Sequence, residues 1–177
     1  KEKFRLEYLT ETDMLVTQPI PENLINYYES NNYNKAMEIY SDNLKLAERL
    51  GNNHGIGTTL FHIGVILTWR GNHDKSFHYF TRSLKLFEEL DDKYWIGVVF
   101  NGIGNVHSTK GDYDKALKYY KHSHLIRESL ADTFGMGVPL LNIGSVYENK
   151  GDFDTALIYY KRSLQISEEI GNKRLTG

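Results

Sequence analysis

The chain has 177 residues, 40% hydrophobic and 25% charged, which suits one compact domain or a short repeat array and excludes a disordered polymer. With 21 Lys plus Arg against 23 Asp plus Glu, the formal charge is −2 and no basic run stands out, so nucleic acid and acidic membrane surfaces have no electrostatic hold on it. There is no cysteine, which excludes disulfides, thiolate zinc sites and a thiol nucleophile and fits a reducing, cytoplasmic setting.

Residues 1–18 are expected to be an N-terminal stub or divergent helix, with Phe4, Leu6 and Leu9 as its apolar residues. The chain starts at Lys1 without Met or an apolar signal segment and reads as a piece of something larger. Residues 19–50 predict a first, divergent hairpin. Its first helix, Ile20–Ser30, is short because Pro19 and Pro21 stand at its start, and its second runs to Leu50. Between them lies Asn31-Asn32-Tyr33-Asn34-Lys35-Ala36. The same hexapeptide position returns every 40 residues as Gly71-Asn72-His73-Asp74-Lys75-Ser76, Gly111-Asp112-Tyr113-Asp114-Lys115-Ala116 and Gly151-Asp152-Phe153-Asp154-Thr155-Ala156. Residues 111–130 and 151–170 agree at eleven of twenty positions without a gap. Hairpins over 51–90, 91–130 and 131–170 follow, and residues 171–177 open another.

Within each unit, apolar residues at three- and four-residue steps predict two helices. The first carries Ile63-Gly64, Ile103-Gly104 or Ile143-Gly144 at mid-length, with Gly57, Gly97 and Gly137 upstream of them. A mid-helix Gly costs roughly 1 kcal/mol against Ala, so its recurrence means that the absent side chain is required where a partner helix crosses closely. Pro139 falls in the first turns, where a missing N–H is tolerated. Arg70-Gly71, Lys110-Gly111 and Lys150-Gly151 stop the first helices. Asp112 or Asp114 is placed to cap the next one. Polar turns at Gly51-Asn52-Asn53, Asp91-Asp92, Asp132 and Gly171-Asn172 reverse the chain between units. Ile63, Ile103, Ile143, Phe80, Tyr120, Tyr160, Leu84, Ile126 and Ile166 are expected in the core, with Ala116 and Ala156 at close crossings. Tyr119 and Tyr159 are expected at the hairpin edge.

The aliphatic-small pair, the Gly-Asp-aromatic turn, and the small residue and aromatic after it resemble the tetratricopeptide repeat family. They stand here as Ile103-Gly104, Gly111-Asp112-Tyr113, Ala116 and Tyr120, and again as Ile143-Gly144, Gly151-Asp152-Phe153, Ala156 and Tyr160. His73 and Ser76 weaken the preceding copy, which keeps Phe80. Forty residues exceeds the usual repeat of about 34 and points to the longer-helix variety. The resemblance implies an all-α, right-handed solenoid of antiparallel helical hairpins, about three full repeats with partial or divergent ones at the ends.

It also implies a non-enzymatic scaffold without cofactors, whose first helices line a concave groove for a peptide or helix of a partner protein. The positions opposite the Ile-Gly pairs are Thr58, Phe61, Val65, Thr68 and Trp69, then Val98, Asn101, Asn105, Ser108 and Thr109, then Val138, Leu141, Asn142, Ser145, Glu148 and Asn149. Asparagine amides suit the backbone of an extended peptide, or else simply solvate an open groove; Asn101 and Asn105 lead this set. No Lys or Arg is among these positions, against the carboxylate grip that some members use for chaperone tails. No His pair has the four-residue spacing of a helical zinc site, and no phosphate loop or nucleophile elbow is present. Alternatives are a sensory or regulatory segment of a larger kinase or transcription regulator, and a homo-oligomer formed through exposed terminal repeat faces.

Overall fold

A computed structural model describes residues 33–176. The expected stub at Lys1–Leu9 and the helix at Ile20–Ser30 lie outside the described residues. Seven helices follow among those described, with no strand: α1 (Tyr33–Leu50), α2 (Asn53–Trp69), α3 (His73–Glu89), α4 (Lys93–Thr109), α5 (Tyr113–Ser129), α6 (Thr133–Asn149) and α7 (Phe153–Thr176). None of them is long and apolar enough to cross a membrane.

Helices α2 and α3, α4 and α5, and α6 and α7 pair as hairpins, and α1 packs on α2, α3 on α4, and α5 on α6. Helix α4 also touches both α2 and α6, whereas no contact joins α3 to α5 or α5 to α7. First helices therefore sit closer together than second helices, so the stack bends with α2, α4 and α6 on its inner side. There is no single core. One apolar cluster joins Tyr40 to Ile63 and Ile66, the next joins Phe80 and Phe87 to Val99, Ile103 and Val106, and the third joins Leu117 and Tyr120 to Ile143 and Val146. Each lies between consecutive hairpins, which is how a solenoid buries faces that one hairpin leaves open.

The expected repeat of 40 contains a repeat of 20. At the end of α2 the Gly71 N–H donates to the Thr68 carbonyl (3.0 Å) and the Asn72 N–H to Leu67 (2.8 Å), with Gly71 at φ +73°. This Schellman closure recurs after α4 at Gly111 and after α6 at Gly151. It also recurs between hairpins, where Gly51, Asp91 and Ala131 take the left-handed position. Asp92 and Asp132 begin the next helices by accepting the Trp95 and Gly135 N–H groups through Oδ1. Their Oδ2 atoms hold His54 and the buried Arg127, tying each turn to a side chain of a preceding helix. Arg127 also lies 5.3 Å above the Tyr94 ring.

Several expectations need correction. Asp112 makes no side-chain cap bond and instead faces His107 and Lys115, while Asp114 accepts from Lys150 at 2.9 Å, as Asp74 does from Lys110 at 3.0 Å. The C-terminal lysines thus link neighbouring hairpins across the surface. Pro139 is the seventh residue of α6, not in its first turn, so it forgoes the bond an N–H there would give to Gly135. No turn forms at Gly171-Asn172; α7 continues to Thr176.

Leu84, Ile126, Ile166 and Tyr160 are half-buried, not fully enclosed. The innermost positions belong to their neighbours Ser83, Ser123 and Ser163. Each serine donates to the carbonyl of Gly57, Gly97 or Gly137 on the paired helix, at 2.7, 2.7 and 2.9 Å. The helices approach too closely there for a larger side chain, and the hydroxyl is satisfied by a backbone acceptor that the approach brings within reach. The mid-helix glycines act similarly. A Cβ at Gly64 would lie 2.8 Å from the Phe80 ring, at Gly104 2.5 Å from Tyr120, and at Gly144 2.6 Å from Tyr160.

Candidate functional site

The inner layer is built by α2, α4 and α6, so its chemistry follows from which residues of these helices point away from the second helices. Thr68 does not belong to it. It is buried, and its Oγ1, the Ser76 Oγ and the Gly64 carbonyl oxygen lie within 2.6–3.0 Å of one another. In this hairpin a hydroxyl at the small-residue position draws the threonine inward.

On α2, Thr58, Phe61 and Val65 are half-buried and Trp69 is 53% exposed, with its ring 6.1 Å from Tyr33. Phe61 is a contact between repeats: its ring lies 5.6 Å from Trp95 of α4 and 5.4 Å from Phe80. On α4, Val98, Asn101, Asn105 and Ser108 are half-buried and Thr109 is exposed, donating back to Asn105 and Val106 carbonyls. On α6, Val138 and Leu141 are exposed at 50% and 51%, Asn142 and Ser145 are half-buried, and Glu148 and Asn149 are exposed. Apart from Thr68, the expected positions are half-buried or exposed, and Asn105 and Glu148 also reach Tyr120 and Tyr160 of the paired helices.

The asparagines are already engaged with one another. Asn142 on α6 donates through Nδ2 to Asn101 Oδ1 at 2.9 Å and to Asn105 Oδ1 at 3.4 Å on α4. Tyr120, buried beneath, donates its hydroxyl to the same Asn105 oxygen at 2.8 Å. Burial pushes the Tyr120 phenol up to about 12, against a hydrogen bond from Ser108 that opposes the rise. One hairpin on, Tyr160 donates to Glu148, and this bond to a carboxylate, with some burial, raises the phenol. The two phenols find different partners: Tyr120 meets Asn105, whose counterpart in the next hairpin is Ser145, whereas Tyr160 meets Glu148, three residues further along its helix. Phe80, which has no hydroxyl, stands at the same position in the preceding hairpin.

A second feature escaped the sequence. His62 is stacked on Tyr40 (5.0 Å, 11° between planes) and edged by Phe61 and Trp95. Burial lowers its pKa to about 4, so it is neutral at pH 7. Among the described residues, no three His, Asp or Glu side chains gather as a metal site would require.

Comparison with known proteins places this architecture. Profiles of the tetratricopeptide repeat match residues 55–129 and 139–170. No curated protein sequence matches. Among solved structures, BtubC (BKLC) from P. vanneervenii superposes with a TM-score of 0.69 at 23% identity, over 82% of this chain and 60% of that one. The chain therefore spans about three fifths of BtubC. The TPR domain of Arabidopsis FLU superposes with a TM-score of 0.59 at 19% identity, over 64% of this chain and 95% of that domain. Identities this low speak for the fold alone, but the two repeat profiles cover the central hairpins residue by residue: the chain belongs to the tetratricopeptide repeat family, as an all-α solenoid of a kind built for protein interaction.

Proposed function

We propose that this protein is a non-enzymatic interaction module that holds a segment of a partner protein against the inner layer of α2, α4 and α6. The observation that carries the reading is the make-up of that layer. Apart from Glu148, the side chains expected to line it are apolar or carry amides and hydroxyls, with Trp69, Val138 and Leu141 open to contact. A surface that served only to be wetted would carry the charges that fill α3 and α5. The absence of cysteine supports a cytoplasmic setting.

The test is selection of a random dodecapeptide library on the wild-type protein, followed by affinity measurement with the Asn101→Ala/Asn105→Ala variant. Loss of about tenfold or more supports the reading, since truncating two hydrogen-bonding contacts is worth that much. Identical binding by wild type and variant removes these two residues from the site.

Self-association has one observation in its favour. Leu117 on α5 is 8% exposed beneath α6, but its counterpart Leu157 on α7 is 51% exposed, and Phe153 and Leu164 beside it are also open. Light scattering over a concentration series, with Leu157→Glu as control, separates an end-to-end oligomer from a monomer.

A further inference from the structure

The three inner helices are almost without charge: Lys93 and Glu148 are the only Asp, Glu, Lys or Arg in α2, α4 and α6. Within this neutral layer the asparagine cluster has a polarity. Asn101 and Asn105 both turn their Oδ1 atoms to the Asn142 amide N–H groups, and Asn105 Oδ1 takes the Tyr120 hydroxyl as well. An amide held by its oxygen presents its NH2 group on the other side. Both side chains are half-buried on the inner face, so two N–H donors stand in a row on α4.

Their spacing is informative. Asn101 and Asn105 are four residues apart, a rise of about 6 Å along a helix. Carbonyl groups on one edge of an extended chain recur every second residue, about 6.7 Å apart. Two alternate carbonyls of an extended segment lying along α4 therefore meet both donors. A carboxylate ligand would also accept, but the one charged side chain among the expected groove positions is Glu148, which would repel it, and no Lys or Arg is among them. The neutral layer fits an uncharged segment.

We infer that Asn142 is a positioning residue for the proposed site, fixing the Asn101 and Asn105 amides with N–H outward so that they take backbone carbonyls of an extended, uncharged peptide segment. This rests on the interaction reading above. Asn142 itself gives up both N–H groups to the cluster; its part is orientation. Replacing it by Asp reverses the cluster without emptying it: a carboxylate accepts from both neighbours, which then turn their N–H groups inward and their oxygens toward the ligand.

Two measurements test this. In the free 177-residue chain, side-chain amide exchange by NMR should find the Asn142 NH2 protected and those of Asn101 and Asn105 fast, with the order reversed for the latter two in Asn142→Asp. Equal protection of all three amides in the wild type overturns the inference. In the second, the probe is the strongest uncharged dodecapeptide from the library selection. Asn142→Asp should weaken it by about tenfold or more, and Asn142→Leu, which frees the clamp without reversing it and serves if the Asp variant does not fold, should weaken it less. If the peptide binds wild type and both variants equally, the orientation role is wrong while the groove reading stands. If no displayed peptide binds the wild type, the groove reading fails and takes this inference with it.

Discussion

Gly104→Ala is the most direct probe of the packing that sets this architecture. In an exposed helix this change stabilises by about 1 kcal/mol, because Ala is the better helix former. Here the new methyl carbon would sit 2.5 Å from the Tyr120 ring, roughly 1 Å inside ordinary contact. Tyr120 is buried, and its hydroxyl is tied to Asn105 at 2.8 Å, so the ring cannot slide away without losing that bond. Overpacking costs about 1–3 kcal/mol and the hydrogen bond about 0.5–1.5, so the net loss is about 0.5–3.5 kcal/mol after the propensity gain. Urea denaturation followed by circular dichroism measures it. The companion experiment repeats the change in a Tyr120→Leu background, where the ring is gone and the propensity gain should reappear as a neutral or stabilising effect. If Gly104→Ala stabilises the otherwise native protein, or if the two substitutions show no coupling, the reading of the mid-helix glycines as seats for the aromatic is refuted.

Three further outcomes follow from the same contacts. Ala131 holds φ +51° where the equivalent turns use Gly51 and Gly71, so Ala131→Gly should raise stability by up to about 1 kcal/mol and lift the melting temperature in calorimetry. Ser123→Ala removes the 2.7 Å bond to the Gly97 carbonyl in a fully enclosed position and should cost about 1–3 kcal/mol in the urea midpoint. His62 takes up its proton at about 4 in the folded chain against 6.5 unfolded, so the unfolded state binds the proton first and stability falls as pH drops from 6.5 toward 4. The full loss is at most about 3 kcal/mol, and His62→Phe should flatten the pH dependence of the urea midpoint in that window.

Much of the architecture was legible without coordinates because repetition lets each hairpin corroborate the others. The Ile-Gly pairs, the Gly-Asp-aromatic turns and the small residues after them specify helix, reversal and crossing locally, and three copies at one interval leave no other arrangement that buries their faces. Local patterns could not say how close two helices come. Leu84, Ile126 and Ile166 are larger and more apolar than Ser83, Ser123 and Ser163, so hydrophobicity alone ranks them as the core. The buried place nevertheless went to the serines, because the helices nearly touch there and a backbone carbonyl waits for the hydroxyl.

The inner surface shows the same division. Helical phase put Asn101, Asn105 and Asn142 on one side of their helices from the sequence alone. It could not show that Asn142 reaches across to both others, or that the Tyr120 hydroxyl joins them from behind. Thr68 was assigned to that side by phase and drawn off it by Ser76, one helix away in space. Periodicity along the chain thus decided which residues form each helix and which side each faces, since those depend on neighbours within a turn. Partners, burial depth and amide direction were decided by the pairing of helices within a hairpin and the stacking of one hairpin on the next, since those depend on atoms some 15 to 41 residues apart that meet only when the helices are in register.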